Sequence, residues 1–478
     1  MSSVAVSPSW RTLLSGRNGT RCLALAGGTA LHAINIYMVT TLMPSTVADI
    51  GGMAFYAWNT TLFVIASIVG ASAAAPLAMR WGGKSAYLLA LGVFALGTAI
   101  CATAGAMPVL LVGRSLQGLS GGVLVSLAYV LIRAVFEPGL WPRAMGLVSA
   151  MWGIATLSGP ALGGVFAQWG HWRDAFWSLL PVVALLAVVV ARWLPAGARH
   201  AGPFRLPGLR LFLLTLSALA ISLASLSHSR VWQATGVGLG LLLVWPIIRL
   251  DRHAQLRLLP PLAYQPSRLR AIYLVMAALV VGTNAEIFVP YFLQVIHGHG
   301  PLAAGYLTAV MAGGWSFGST LSAGRGSRFA AWAMRSGPWL MALSLGALGL
   351  MLRQRDGFGE GAGLLVLCVA MGGVGLGIGL AWPHLLSALL GSVPAEDGAL
   401  ASASISTVQL YAMALGAALA GLIVNAAGLS DPGGIEGACR AVPWLFGGFA
   451  LLSLLGLPAA RRAAQPLSLD HGRKTHGD

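Results

Sequence analysis

Long stretches with almost no charge recur along this chain, and they leave it few ways to fold. Read between charged or Pro/Gly-rich breaks, they run Cys22 to Met43, Tyr56 to Met79, Ser85 to Ala104, Val109 to Ile132, Ala144 to Ala167 and Ala175 to Leu194. Two shorter runs follow, Leu211 to Leu226 and Trp232 to Ile248. Six more close the series: Ala271 to Ile296, Leu302 to Ala323, Ser336 to Leu352, Ala362 to Leu390, Ala399 to Gly428 and Ala441 to Leu457. Backbone polar groups find no water in hydrocarbon, so a spanning segment is either a helix of about 20 residues or a strand of a closed barrel. Runs of this length favour helices. Only 9% of the residues are charged, against roughly 25% in a soluble globular chain, so a solvated surface cannot be assembled from them. The expected fold is all-α and integral to the membrane, with about fourteen transmembrane helices.

The order is six, two, six. Basic breaks, Ala196 to Arg210 and a segment ending at Arg270, set the middle pair apart. This suggests a tail over 1–21, a six-helix bundle over 22–194, a linker with two inserted helices over 195–270, a second six-helix bundle over 271–460 and a tail over 461–478. Without the inserted pair, twelve helices with the same sidedness remain. The halves match in hydropathy rather than in residue identity, a duplication found in many transporters, whose sites lie near the midplane between the repeats.

A net charge of +16 could point to nucleic acid, but in a membrane chain Lys and Arg collect on the cytoplasmic side. With the N-terminus inside, only Arg173, Arg230, Arg353, Arg355 and Arg440 fall on outer loops, and Arg114 lies within a span. Shifting the register by one span scrambles this asymmetry. Both termini are therefore expected in the cytoplasm, with the bacterial inner membrane as the location and no nucleic-acid partner. Arg11, Arg17 and Arg21 precede a first run longer than a signal-peptide core, which reads as a retained helix. Cys22, Cys101, Cys368 and Cys439 are scattered singly, without metal-ligand spacing, and no cofactor or metal is expected. Trp58, Trp141, Trp169, Trp172, Trp193 and Trp232 fall near span ends, where amphipathic rings anchor.

Ionisable groups cost at least roughly 2.5 to 3.5 kcal/mol in a span, so the four embedded ones need an account: His32, Arg114, Glu286 and His384. Of thirteen acids, Glu286 alone sits well inside a run. A carboxylate in hydrocarbon is costly unless protonated or paired, which makes Glu286 the leading proton-coupling candidate, against a fixed pair or a cap on unwound backbone beside Pro290. His32 could relay protons, or rest neutral on a helix neighbour. His384 follows Trp382-Pro383 and reads first as a bonded group at a kink, second as a cavity residue. Gly153, Gly159, Pro160, Gly163 and Gly164 mark one span as thin and kinked, whereas Gly375 and Gly379 are explained by ordinary small-residue packing.

Pro76-Leu77-Ala78-Met79-Arg80-Trp81-Gly82-Gly83-Lys84, Gly113-Arg114-Ser115-Leu116-Gln117-Gly118 and the stretch from Gly153 through Gly159-Pro160-Ala161-Leu162-Gly163-Gly164 follow one another in order. Together they resemble the loop signature, fourth-helix Arg motif and fifth-helix antiporter motif of the major facilitator superfamily, and within it the fourteen-helix drug:proton antiporters. Asn35 to Pro44, Asp49-Ile50-Gly51-Gly52, Trp58, Trp172-Arg173, Phe176, Pro181, Tyr291-Phe292-Leu293-Gln294 and Ala303-Ala304-Gly305 extend the likeness over both halves. The resemblance implies a cavity lined by helices one, four, seven and ten, and the four embedded titratable residues fall one on each. It also implies conformational roles for Arg80, Lys84 and the fifth-helix glycines. Two positions depart from the family pattern by losing a carboxylate: Asn35, where an Asp is usual, and Met79 in the loop signature.

The leading expectation is secondary active efflux of lipophilic or cationic small molecules, of the multidrug type, by alternating access, with protons as the coupled partner and the chain acting as a monomer. Glu286 and His32 would carry the coupling; Asn35, Arg114, Gln117, Asn284 and His384 would shape the cavity. A uniporter or symporter of a metabolite or anion is the alternative within transport. A membrane enzyme or receptor is disfavoured by the lack of clustered metal ligands or a long extramembrane segment. An ATP-driven pump is disfavoured because no G-x-x-x-x-G-K-[ST] occurs.

Overall fold

The structure, a computed structural model, describes residues 10–196, 206–354 and 361–465. Arg355, most of the Ala196 to Arg210 break and parts of both tails lie outside these residues. Every apolar run becomes a helix, and no strand occurs among the described residues. A short helix α1 (Trp10–Leu14) precedes α2 (Gly16–Ile50), α3 (Trp58–Trp81), α4 (Gly83–Ala102), α5 (Met107–Val135), α6 (Trp141–Gln168) and α7 (Trp172–Trp193). The inserted pair is α8 (Gly208–Ala224) and α9 (Arg230–Arg252). Next come α10 (Arg268–Thr283) and α11 (Val289–Val295), then α12 (Pro301–Ser322), α13 (Ser327–Met351), α14 (Gly361–Leu390), α15 (Gly398–Ala426), α16 (Gly434–Leu455) and the short α17 (Leu457–Ala463).

Eleven spans among the described residues are long and apolar enough to cross a bilayer on length and composition alone. α8 has 17 residues, α12 is rich in Gly and Ser, and α13 carries Arg328 and Arg335, yet packing sets all three beside the longer spans. The outer surface is apolar: Val231, Leu343, Leu350 and Leu455 are each at least two-thirds exposed. In water such a belt would aggregate; in lipid it is the expected contact face.

Packing repeats between the halves. α2 packs on α6, α3 on α5 and α4 on α7, as α10 packs on α15, α12 on α14 and α13 on α16. Across the halves, α6 meets α12 and α3 meets α15, a pairing that maps onto itself when the halves are exchanged. α8 and α9 pack together, and α8 rests on α3 and α15 at one of these seams.

One helix is broken. α10 and α11 occupy a single span, but Asn284–Phe288 between them is wound as a 3-10 turn. Pro290 stands at the start of α11, where it lacks the N–H that a continuous helix needs and crowds the carbonyl four residues back, that of Glu286. The break therefore falls at Glu286, which lies well inside its span, whereas Glu436 sits in the first turn of α16.

Candidate functional site

Arg114, on the inward face of α5, is 2% exposed. Its Nη1 donates to Asn35 Oδ1 of α2 and, at 2.7 Å, to Gln117 Oε1 one turn along α5. Gln117 Nε2 in turn donates to Thr98 Oγ1 of α4 at 2.9 Å. Phe63 of α3 lies flat beneath the guanidinium, with Cζ 4.1 Å from the ring centre. These contacts hold a cation between amides and an aromatic face, with no carboxylate among its partners in the described residues. Arg114 Nε and Asn35 Nδ2 are buried without a hydrogen-bond partner among the described residues.

His32, one turn before Asn35, stacks on Phe63 at 5.1 Å between ring centres and meets the edge of Trp152 of α6 at 6.0 Å. Its Nδ1 has no partner. The ring fits only because α5 has glycine opposite it: a Cβ on Gly121 would lie 2.1 Å from Nδ1. His32, Asn35, Arg114 and Gln117 are thus brought into one cluster by Phe63, which nothing in the sequence singled out.

Glu286 lies in the second half, on the 3-10 turn. It is half-buried, and among the described residues its carboxyl makes neither an ion pair nor a hydrogen bond. Its electrostatic neighbour in the other half is Tyr37 of α2, two residues beyond Asn35, whose own hydroxyl engages Thr156 of α6. Asn284 is turned the other way: its Nδ2 donates back to Val280 O at 2.7 Å, capping α10, and it abuts Gly416 of α15. His384 stands apart, with Nε2 2.8 Å from Ser322 Oγ at the end of α12 and the Phe329 ring 5.9 Å away. The structure thus groups four residues in the first half, sets Glu286 near Tyr37 of that half, and leaves Asn284 and His384 in local contacts.

The motif residues sit at helix crossings. Gly159 and Gly163 press α6 onto α2, where a Cβ would meet Tyr37 Cβ at 2.5 Å and Met38 O at 2.5 Å respectively. Gly164 would meet Leu302 Cα of α12 at 2.5 Å, and Pro160 backs onto Gly305. Gly153 faces open space. In the loop signature, Gly82 takes φ +83°, a left-handed turn that lets α4 start directly after α3. Lys84 Nζ then donates to Ala191 O at the end of α7, while Arg80 is exposed and unpaired among the described residues.

The halves are joined at one end. Tyr56, preceding α3, stacks on Phe288 at 4.8 Å and meets Tyr291 at 5.9 Å; Phe292 and Phe446 extend the stack into the second half. Asn425 Nδ2 donates to Ala54 O at 2.9 Å and also reaches Ser225 O of the inserted pair. Gly421 touches Ala57, and Gly305 touches Thr41. All of these lie toward the C-terminal end of α2, away from the end where α2 begins. Among the described residues, no ion pair bridges the halves. This aromatic seal escaped the sequence reading, because Tyr and Phe in an apolar run look like any packing residue.

Residues 25–352 match the model of the Major Facilitator Superfamily. A protein of Mycobacterium tuberculosis named a "Probable multidrug-efflux transporter" is 40% identical over 466 residues, covering 95% of this chain and 96% of that one. A multidrug transporter of Bacillus subtilis is 27% identical over 59% of this chain and 54% of its own length. Among solved structures, a bacterial homologue of the human lysosomal transporter Spinster superposes with a TM-score of 0.66 at 16% identity, over 94% of this chain and 97% of that one. A POT family transporter in complex with 5-aminolevulinic acid gives 0.68 at 13% identity, over 96% and 99%.

Proposed function

The chain belongs to the major facilitator superfamily, and on that premise we propose that it exports lipophilic, cationic small molecules in exchange for protons, with Glu286 as the group that trades one for the other. It is a membrane transporter, and efflux of drug-like cargo is the reading supported by what its 40% identical mycobacterial relative is named for. One observation carries the assignment of Glu286: an acid at mid-span, on a broken helix, half-buried toward the opposite half and held by no cation among the described residues. A carboxyl there is costly as a bare anion, so it is protonated or matched by a cationic cargo, and the two compete. Arg114 has settled partners and supplies a fixed charge rather than an exchanging one.

The division into bundles at 22–194 and 271–460 around a linker at 195–270 is supported by the repeated packing of the two sets of six helices. Cytoplasmic termini are supported by the Lys and Arg bias. With that orientation, the aromatic seal lies on the outer side and the state described is closed outward. Rocking of the halves about the α6–α12 and α3–α15 seams would then expose Glu286 to either side in turn.

In proteoliposomes holding an internal pH dye, a panel of lipophilic cations is expected to drive proton movement with the native chain. Glu286→Gln is expected to abolish proton movement while leaving cargo-for-cargo exchange measurable. Proton-linked transport at the native rate in Glu286→Gln would overturn the assignment. The alternative of anion uniport or symport rests on the unpartnered Nε of Arg114; cargo uptake that is unaffected by Glu286→Gln but lost in Arg114→Gln would favour it.

A further inference from the structure

The turn joining α11 to α12 carries two histidines, His297 and His299, separated by Gly298. Gly298 adopts φ +69°, and the His299 N–H donates to Leu293 O at 3.0 Å, which ends α11 and folds the turn back on itself. The two imidazole rings are brought to 6.4 Å between centres with 29° between their planes. His297 Nε2 lies 3.3 Å from Leu352 O at the end of α13. A carbonyl only accepts, so Nε2 carries the ring proton and Nδ1 is left with a lone pair.

That Nδ1 is buried and has no hydrogen-bond partner among the described residues, and the same holds for His299 Nε2. One turn back, Gln294 Nε2 is a third buried polar atom without a partner, and a half-turn of its amide would present Oε1 instead. Buried polar atoms are nearly always satisfied, so three such atoms between Gln294 and His299 require an explanation.

We propose that His297 Nδ1 and His299 Nε2 form a chelating pair for a divalent transition-metal ion of the imidazole-preferring class, Zn2+ being the probe. With metal–nitrogen bonds of about 2.0–2.1 Å, a tetrahedral ion sets the two ring centres roughly 5 Å apart, so binding draws rings that now stand 6.4 Å apart about 1 Å closer together. The bond from His297 Nε2 to Leu352 O is the support that metal-bound histidines characteristically have, fixing both tautomer and ring orientation. Imidazole with one amide oxygen and water suits zinc, nickel or copper and not calcium or magnesium. The same turn follows directly on Tyr291 and Phe292, so a bound ion ties the aromatic seal to α13 and opposes its opening.

The test uses the untagged full chain in detergent and titrates Zn2+ by calorimetry. One site is expected, weakened by about 10- to 100-fold or more in both His297→Ala and His299→Ala, with His171→Ala unchanged as the surface control. His299→Cys, which restores a donor, is expected to recover binding, separating loss of a ligand from loss of fold. In proteoliposomes, Zn2+ is expected to inhibit transport from the face bearing this turn in the native chain and not in His299→Ala. Equal Zn2+ affinity in the native chain and both alanine variants, or no binding by the native chain, would overturn the site. The calorimetric result is independent of whether Glu286 carries protons.

Discussion

At the scale of single residues, the central cluster is a charge held by neutral groups, and its energetics follow. Hydrogen bonds to a charged group are worth about 1.5–3 kcal/mol. Asn35→Ala, which removes the Oδ1 that Arg114 reaches, is expected to destabilise the chain by that amount, read as a lower melting temperature in detergent. Asn35→Asp keeps an acceptor in place and is expected to melt at or above the native temperature, while adding a second titratable acid to the cavity; a lower melting temperature for it would count against the described pairing. Gly121→Ala drives a methyl into His32 Nδ1 and is expected to cost about 1–3 kcal/mol through overpacking. Arg114 stood out as a charge in an apolar run, and Asn35 and Gln117 through the motifs that carry the family resemblance, whereas Asn284, expected beside them, caps α10 instead. Phe63, Trp152 and Tyr37 did not stand out, since an aromatic ring in such a run is indistinguishable by sequence from lipid-facing or packing residues.

Helices were the most legible level. Each apolar run became helical, the run from Ala271 to Ile296 as two helices about a 3-10 turn, and the ends moved mainly where charge had been taken as a stop. α13 begins at Ser327 rather than Ser336 because Arg328 and Arg335 extend from the helix end instead of terminating it. The break at Asn284–Phe288 was foreshadowed by Pro290, but the 3-10 winding depends on packing against α15 and could not be read locally. The fifth-helix motif gives the sharpest expectation at this scale, because its glycines do different things. Gly153 faces open space, so Gly153→Ala is expected to be neutral or to stabilise by up to about 1 kcal/mol through helix propensity. Gly159 and Gly163 press against α2 within 2.5 Å of where a Cβ would stand, so alanine there is expected to separate α6 from α2 and lower both the melting temperature and transport. Equal effects at all three positions would mean that the motif acts through backbone flexibility rather than close packing.

For the whole molecule, the Lys and Arg bias supports the proposed sidedness but carries no sign of the conformation, because both faces of an alternating-access cycle use the same helices and differ in a few contacts between halves. Those contacts, Tyr56 with Phe288 and Tyr291, Asn425 with Ala54, and Ala57 with Gly421, all lie at one end. If the cycle requires that end to open, fixing it should stop transport without unfolding the chain. Ala57 and Gly421 are close enough for the purpose, since a Cβ on Gly421 would lie 2.8 Å from that of Ala57 and a small adjustment reaches disulfide spacing. With the four native cysteines replaced, Ala57→Cys combined with Gly421→Cys is expected to cross-link under oxidation, reduce cargo flux to background and recover on reduction, while either single variant transports. Full flux from the fully oxidised double variant would show that this end stays closed throughout the cycle and that the halves part along another path.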